Sequence, residues 1–582
     1  MRQFLKFSLA TVVGIFLFSL LSFLILLAIA STGSEEVKLK DDHVLKLNLN
    51  GLIYDRTTES PFENFDPFSG EITEAIGLHD LVDQIEKAKD HDKIKGILLE
   101  ITFPQTGYAS LREIRRALED FRSSGKFVYA YSEGYTQRAY YLASVADSVL
   151  LNPEGAMEFK GLQAQVGFPL DFLAKIGVEP QVIRHGKFKS AVEPYLRNDM
   201  SPANKEQTEA FIGSIWDATI DQIAESREMS ADELNAAADS FAVFLGEDAL
   251  DAGLVDALTY RDEVYSMVRG QLEQEEDEEA RFLSLSELKN VKASSPVTTD
   301  YIAVIYAQGD IISGEGSEYQ IGSGRISRAI RKARRDDKVK AIVLRVNSPG
   351  GDALASDVIL REMEKAKAEK PVIVSMGDLA ASGGYYISCK ADHIFAEPTT
   401  ITGSIGVFGV LFNPEELLNN KMGIHFDQVV TNAHADFGDP TRGLNDFEYA
   451  RIQHIIEDIY ADFIGHVAEG RAMDVADVDS IGQGRVWSGA DALEIGLVDE
   501  LGGINEALAL AAERGEVEKY RIMSLPERKD PIQELIEELT GSMEVRAMKN
   551  KLGPLYPYFE QMEHIQHMHG YQARMPFTLE LR

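Results

Sequence analysis

One residue pattern occurs twice in this chain, 245 positions apart. Lys93-Ile-Lys-Gly-Ile-Leu-Leu-Glu-Ile101 matches Lys338-Val-Lys-Ala-Ile-Val-Leu-Arg-Val346, and Tyr140-Tyr-Leu-Ala-Ser-Val-Ala-Asp147 matches Tyr385-Tyr-Ile-Ser-Cys-Lys-Ala-Asp392 at the same offset. Further on, Ala252-Gly-Leu-Val-Asp256 returns as Ile495-Gly-Leu-Val-Asp499. A duplication of this length means that one supersecondary plan is built twice. Each copy alternates near-continuous apolar strands with amphipathic helices. In the first copy Leu111, Ile114, Leu118 and Phe121 recur every three to four residues. Strands apolar on both faces and flanked by helices predict a parallel sheet covered on both sides, an α/β class.

The acidic run Glu273 to Glu279 and the polar segment Lys292 to Asp300 separate the copies. The expected division is residues 1–34 as cytoplasmic N-terminus and transmembrane anchor, 35–272 as the N-terminal repeat, 273–300 as linker, 301–524 as the C-terminal repeat and 525–582 as a tail without a repeat partner. Phe7 to Ala30 is a run of 24 residues without a charge, long enough to span a bilayer, with Arg2 and Lys6 before it and Glu35 and Glu36 after it. That asymmetry leaves the N-terminus in the cytoplasm and the bulk of the protein outside. Ala28-Ile29-Ala30 fits a signal-peptide cleavage site, but the run exceeds a signal peptide's apolar core, so an anchor is the preferred reading. A net charge of −36 excludes a nucleic-acid backbone as partner. One cysteine, Cys389, rules out intramolecular disulfides and a Cys-based zinc site.

The copies differ where chemistry would sit. Asp378-Leu-Ala-Ala-Ser-Gly-Gly-Tyr385 follows the strand-like Pro371 to Met376, which puts Ser382 at a strand-to-helix turn. There the unpaired N–H groups and the positive end of a helix face any oxyanion that forms. Gly383 and Gly384 leave room for a substrate backbone. At the offset of 245, Gln137 and Arg138 stand opposite Ser382 and Gly383, and Thr102 to Thr106 stand opposite the glycine turn Asn347-Ser-Pro-Gly-Gly351. A serine nucleophile needs a proton acceptor, histidine or lysine. In the second copy His393, His425, His434 and His454 have no telling context. The first copy holds Lys187 and Lys189 on alternate positions after Gln181 to Ile183, on one side of an extended segment, and spacing does not choose between them.

Four motifs in this order carry a family resemblance: Ala-Ala-Ser-Gly-Gly-Tyr around Ser382, the Asn347 to Gly351 turn, Thr402-Gly-Ser-Ile-Gly406, and Lys-Ser-Ala-Val-Glu-Pro at 189–194. The chain resembles the long, two-repeat signal peptide peptidases of the S49 family of serine peptidases, from about His43 to Leu510. The resemblance implies two tandem crotonase-like (ClpP-related) α/β repeats after one transmembrane helix, assembled as a bowl-shaped homotetramer in the bacterial cytoplasmic membrane with its bulk on the periplasmic side. It implies Ser382 as nucleophile and selects Lys189 as general base. It also suggests Ser404 as the residue that orients the lysine. Aligning Gly177 and Pro194 with Gly423 and Pro440 puts Ala435 opposite Lys189, so one repeat gives the base and the other the nucleophile.

The implied substrates are apolar peptides such as signal-peptide remnants, with no cofactor, metal or nucleic acid. Backbone N–H groups of Gly351 and Gly383 are the best oxyanion donors. A lysine base must be desolvated to lose its proton near neutral pH, so activity should rise with pH into the alkaline range. Two other classes fit less well. An acyl-CoA enzyme of crotonase type leaves Lys189 without a role, and a non-catalytic membrane scaffold leaves Ser382 without one. Ser286-Glu-Leu-Lys289 lacks an accompanying Lys-Thr-Gly and is read as chance. His564, His567 and His569 are read as a solvated helix face rather than a metal site. Met575 to Leu581 alternates like an exposed strand.

Overall fold

A computed structural model describes residues 38–56, 76–291, 298–527 and 572–574, with four single positions before residue 22. The predicted anchor and the tail histidines lie outside the described residues, as do Met575 to Leu581. Among the described residues no helix is long and apolar enough to cross a membrane.

Each repeat is built on a parallel sheet, and the two sheets share one strand order. In the first the order is Phe282–Leu283, His43–Asn48, Ile94–Glu100, Phe127–Tyr135, Ser148–Met157, Ala257–Leu258. In the second it is Arg521–Leu525, Tyr301–Gln308, Val339–Ser348, Val372–Ala381, His393–Ala396, Glu500–Leu501. The second sheet adds Ile401–Gly403 beside Val372–Ala381 and an antiparallel Val486–Ser488. Residues 273–300 are therefore not all linker, because Phe282–Leu283 is an edge strand of the first sheet and Leu285–Lys289 is helical.

The strands are apolar on both faces because both are covered. In the first repeat Val44 and Leu98 face the helix Arg261–Gln271, while Leu45, Leu47, Ile97 and Leu99 face the helices Leu78–Asp90 and Tyr108–Ser123. Leu111, Ile114, Leu118 and Phe121 are fully buried, the stripe their spacing predicts. In the second repeat Ile302, Val304 and Val343 meet Ile504, Leu508 and Ala511 of the helix Ile504–Arg514 in the same way. A long helix of 26 residues closes each repeat, Pro202–Arg227 capped by Ser201 and Asp446–Arg471 opened by an Asn445/Glu448 capping box.

The repeats are locked together. Ala381, Ile401 and Val486 of the second belong to the core of the first, and Ile183 of the first belongs to the core of the second. The strand Glu179–Arg184 pairs antiparallel with Phe408–Asn413 across the boundary. A buried arginine of the second repeat, Arg345, bonds Asp55 at 2.8 Å and Glu113 at 2.6 Å, both from the first.

Candidate active site

The boundary between the repeats is where the sequence-derived residues meet. Val372–Ala381 runs directly into Ser382, and Gly383–Tyr386 forms one helical turn after it. The strand is longer and the helix shorter than the sequence suggests. Ser382 has φ 56 and ψ −113, on the side of the map that side chains avoid. Such a conformation costs about 1–3 kcal/mol and persists only where its surroundings impose it. Here its N–H donates to the Gly403 carbonyl at 2.8 Å, which fixes the turn and aims the hydroxyl at the first repeat.

Lys189 arrives from that side. After the strand Glu179–Arg184 the chain bends through Gly186, and the Phe188 N–H donates to the Gln483 carbonyl at 2.9 Å. Lys189 Nζ lies 2.9 Å from Ser382 Oγ, 3.0 Å from Ser404 Oγ and 3.1 Å from the Ser404 carbonyl oxygen. All three residues are 0 % exposed. Burial alone holds the lysine pKa well below its ordinary value. Gly484 and Gly406 admit the lysine: a Cβ on Gly484 would stand 2.6 Å from Lys189 Cβ, and one on Gly406 would stand 3.2 Å from its Cδ. Sequence reading missed Gly484 and met Gly406 only as the end of the Thr402–Gly406 motif, since a glycine serving another residue's stem carries no local signal.

Lys187 is exposed, with its amine over the Phe188 ring. The expected alternation on one side of an extended segment does not hold, because 185–189 is a bend rather than a strand and the two lysines diverge. His393 pairs with Glu500, His434 stacks on Phe447, and His454 pairs with Asp458. Ser286 and Lys289 lie on the short helix Leu285–Lys289, where Lys289 pairs with Asp80.

The two glycine segments converge. A Cβ on Gly384 would stand 2.8 Å from the Ser348 carbonyl oxygen, so the turn holding Gly350 and Gly351 packs against the helix that Gly383 opens. Gly351 lies against the Ile311 backbone, where a Cβ would come within 2.1 Å of a carbonyl oxygen. Beside this turn runs a strand the sequence did not lead one to expect. Gln572–Arg574 pairs antiparallel with Gly350–Asp352, Ala573 opposite Gly351, and Gln572 also faces Phe408. The Phe408 ring centroid is 5.9 Å from Lys189 Nζ. The segment thus bridges the glycine turn and the strand of Phe408.

The matching position in the first repeat is filled. Gln137 stands where Ser382 would be, its Oε1 accepting the N–H groups of Lys160 and Gly161 at 3.0 Å and its amide donating to Tyr108 and the Gly161 carbonyl.

The boundary thus holds a serine on a strained strand-to-helix turn, with an amine in contact and a glycine turn alongside. The sequence profile of peptidase family S49 matches residues 120–275 and 364–518. "Protease 4" of Salmonella typhi is 39% identical over 480 residues, 81% of this chain and 77% of its own. "Protease 4" of Haemophilus influenzae is 36% identical over 520 residues, 86% and 83%. A ClpP1 variant of Listeria monocytogenes of known structure is similar over 35% of this chain and 94% of its own, at 17% identity and a TM-score of 0.24. The chain belongs to peptidase family S49, with the family's domain present twice, and is a serine peptidase.

Proposed function

We propose that this chain is a membrane-anchored serine endopeptidase in which Ser382 is the nucleophile and Lys189 the general base. In this reading each repeat has the crotonase-like, ClpP-related fold, and the substrates are apolar peptides such as signal-peptide remnants on the outer side of the cytoplasmic membrane. The observation that carries the reading is the 2.9 Å approach of a fully buried lysine amine to the Ser382 hydroxyl.

The three oxygens around Nζ fit the three donors of an ammonium, and they also fit the neutral amine that the proposed mechanism requires. An uncharged Nζ has two N–H donors and one lone pair. The Ser404 carbonyl and hydroxyl oxygens take the two donors, at 3.1 and 3.0 Å, which leaves the lone pair for the Ser382 hydroxyl proton. Ser404 therefore orients the base. Ser382 attacks the peptide carbonyl as Lys189 takes its proton, and Lys189 returns that proton to the leaving amine. Water then repeats the sequence on the acyl-enzyme. The N–H groups of Gly383 and Gly351 receive the oxyanion, each worth about 3 kcal/mol in the transition state.

The strand Gln572–Arg574 supports binding of substrate as an added β-strand, a mode in which backbone pairing supplies affinity without regard to side chain. One assay tests both points on a fluorogenic apolar peptide. Ser382→Ala is expected to be inactive, with a loss of at least about 10⁴-fold. A chain ended after Gly570 is expected to cleave faster at low peptide concentration, its KM lowered by removal of the competing strand. Hydrolysis that survives Ser382→Ala overturns the assignment.

We infer a homotetramer, the assembly that the family resemblance implies, and the duplication is compatible with a closed ring. Within the chain, Glu179–Arg184 of the first repeat pairs with Phe408–Asn413 of the second. At the repeat offset the counterparts are residues 424–429 and 163–168. Residues 424–429 form no strand and leave Phe426 57 % and Val429 100 % exposed. The same pairing made between chains is head-to-tail and closes into a ring. Sedimentation is expected to give the mass of four chains, and Val429→Glu is expected to yield smaller species. A parent chain that sediments as a monomer contradicts the ring.

A further inference from the structure

The helix Tyr108–Ser123 of the first repeat and its counterpart Ala353–Lys367 of the second begin differently. In the second, Asp352 caps its own helix, accepting the Ala355 N–H at 2.6 Å. The matching position in the first is Gly107, which has no side chain to cap with. The carboxylate comes from the other repeat. Asp378 accepts the Ser110 N–H at 2.9 Å, the Ser110 hydroxyl at 2.6 Å, the Gly107 N–H at 3.3 Å and the Thr106 hydroxyl at 3.5 Å. A Cβ at 107 would lie 2.3 Å from Asp378 Cγ, so the glycine is what admits it. The exchange runs one way: Glu133, which matches Asp378 in the first repeat, is exposed and pairs with Arg261 of its own repeat.

Asp378 stands four residues before Ser382 on the strand Val372–Ala381. Between them the Leu379 N–H donates to Asn347 Oδ1 at 3.2 Å and the Ala380 carbonyl accepts the Thr402 hydroxyl at 2.8 Å, both within the second repeat, while the Ala381 side chain packs in the core of the first. On the other side, the capped helix is bound into the repeat that carries the amine. Its Arg115 donates to the carbonyls of Tyr141 and Gln222, the latter on the long helix Pro202–Arg227. Gln207 of that long helix donates to the Phe188 carbonyl at 3.2 Å and the Ser190 hydroxyl at 2.8 Å, the two residues flanking Lys189.

We propose that Asp378 is a positioning residue that fixes the separation of Ser382 from Lys189 by tying the strand beneath the serine to a helix of the opposite repeat. The proposal rests on the reading of Ser382 and Lys189 as nucleophile and base. It separates two things that a carboxylate at a helix start can do. Capping stabilises the helix wherever the carboxylate comes from. Only a carboxylate supplied by the second repeat also sets the register of the dyad.

The test moves the cap without removing it. Residue 107 has φ −80 and ψ 171, open to any side chain, so Gly107→Asp combined with Asp378→Gly restores the arrangement the second repeat uses. Full-length Asp378→Gly, this double variant and Asp378→Asn are compared by peptide kinetics, by the pH dependence of Ser382 labelling with a fluorophosphonate, and by thermal midpoint. Asp378→Gly is expected to lower kcat about ten- to hundredfold with KM changed less than about threefold, as for a small misplacement of reacting groups. Its labelling profile is expected to move to higher pH, because a looser boundary admits water to the amine. The double variant is expected to regain the thermal midpoint but neither kcat nor the profile. Asp378→Asn keeps an acceptor for the Ser110 N–H and is expected to stay within about threefold of the parent.

Recovery of kcat and profile together with the midpoint in the double variant would reduce Asp378 to a helix cap and overturn the proposal. So would parental kinetics in Asp378→Gly, or an Asp378→Asn as impaired as Asp378→Gly. Failure of the underlying dyad reading shows elsewhere, as peptide cleavage persisting in Ser382→Ala.

Discussion

Replacing Lys189 by methionine is expected to remove peptidase activity by about 10³-fold or more while making the protein harder to unfold. The first effect follows from losing the proton acceptor, for which general-base catalysis is typically worth about 10²–10⁴, together with the amine that the Ser404 oxygens hold in place. Methionine keeps the length of the stem, so the pocket shaped by Gly406 and Gly484 stays filled. The second effect follows from the sign of the pKa shift. Burial lowers the lysine pKa in the folded protein, so between that lowered value and the ordinary one the unfolded chain binds a proton that the folded chain does not. That difference works against folding. It is largest below the folded pKa and vanishes above the ordinary lysine value of about 10.4. The thermal midpoint of Lys189→Met should therefore exceed the parent's at pH 7, with the gain shrinking as pH approaches that value.

The same shift sets the parent's kinetics. With Lys189 as the proposed base the reactive form is the free amine, so kcat/KM is expected to rise with pH through the lowered pKa of Lys189 and to level off before the ordinary lysine range. In Lys189→Met the residual rate should lose this limb. A parent profile flat from pH 6 to 10, or a Lys189→Met variant that is less stable than the parent at neutral pH, contradicts a neutral buried base.

Much of the architecture was legible because duplication makes sequence patterns corroborate one another. The offset of 245 predicts that the strands Ile94–Glu100 and Val339–Ser348 are equivalents, and the two sheets share their strand order around them. The same offset shows that the first copy lacks Ser382 and the glycine turn, whereas the choice of Lys189 rests on the family resemblance. Periodicity failed where the chain is not periodic. Lys187 and Lys189 alternate in sequence, yet the bend at 185–189 sends one into solvent and the other into the core. Asp378 reads as an ordinary loop acid, since its partners Gly107 and Ser110 are 271 and 268 residues away. The strand Gln572–Arg574 was hidden for a related reason, because its partners opposite Gln572, Asp352 and Phe408, lie 220 and 164 residues back and its own residues are not β-formers of note. Contacts of this kind are fixed by the packing of two finished domains, which no local window contains.

The strand core also conceals a charge, and removing it should give the largest loss of stability. Arg345 interrupts the apolar run Ala341–Val346 of the strand Val339–Ser348, 1 % exposed, with its guanidinium on Asp55 at 2.8 Å, Glu113 at 2.6 Å and the Ser375 hydroxyl at 2.9 Å. Burial opposes its charge, and the two carboxylates more than offset that, so its pKa stands above the ordinary arginine value. The equivalent position in the first repeat is Glu100, paired with Lys46 near the surface, so the buried cation belongs to the boundary and not to the shared fold. Arg345→Leu would leave two carboxylates of the first repeat enclosed without a counter-charge. Breaking a buried pair from one side costs about 3–5 kcal/mol, far more than the pair contributes relative to apolar residues. Glu113 supplies a pH signature. Burial already raises its pKa in spite of Arg345 and the Ile504 N–H, and loss of the arginine raises it further. A carboxyl with a raised folded pKa is favoured when protonated, so the stability deficit of Arg345→Leu should grow as pH rises from 5 to 8 and shrink on acidification. The companion variant Glu113→Gln/Arg345→Met, which removes both charges and retains a partner for the Ile504 N–H, is expected to recover part of the loss. Denaturant unfolding at pH 5 and pH 8 decides the matter: a deficit below about 1 kcal/mol at both would mean that the boundary is held by its apolar contacts alone, with the ion cluster contributing nothing to the join between the repeats.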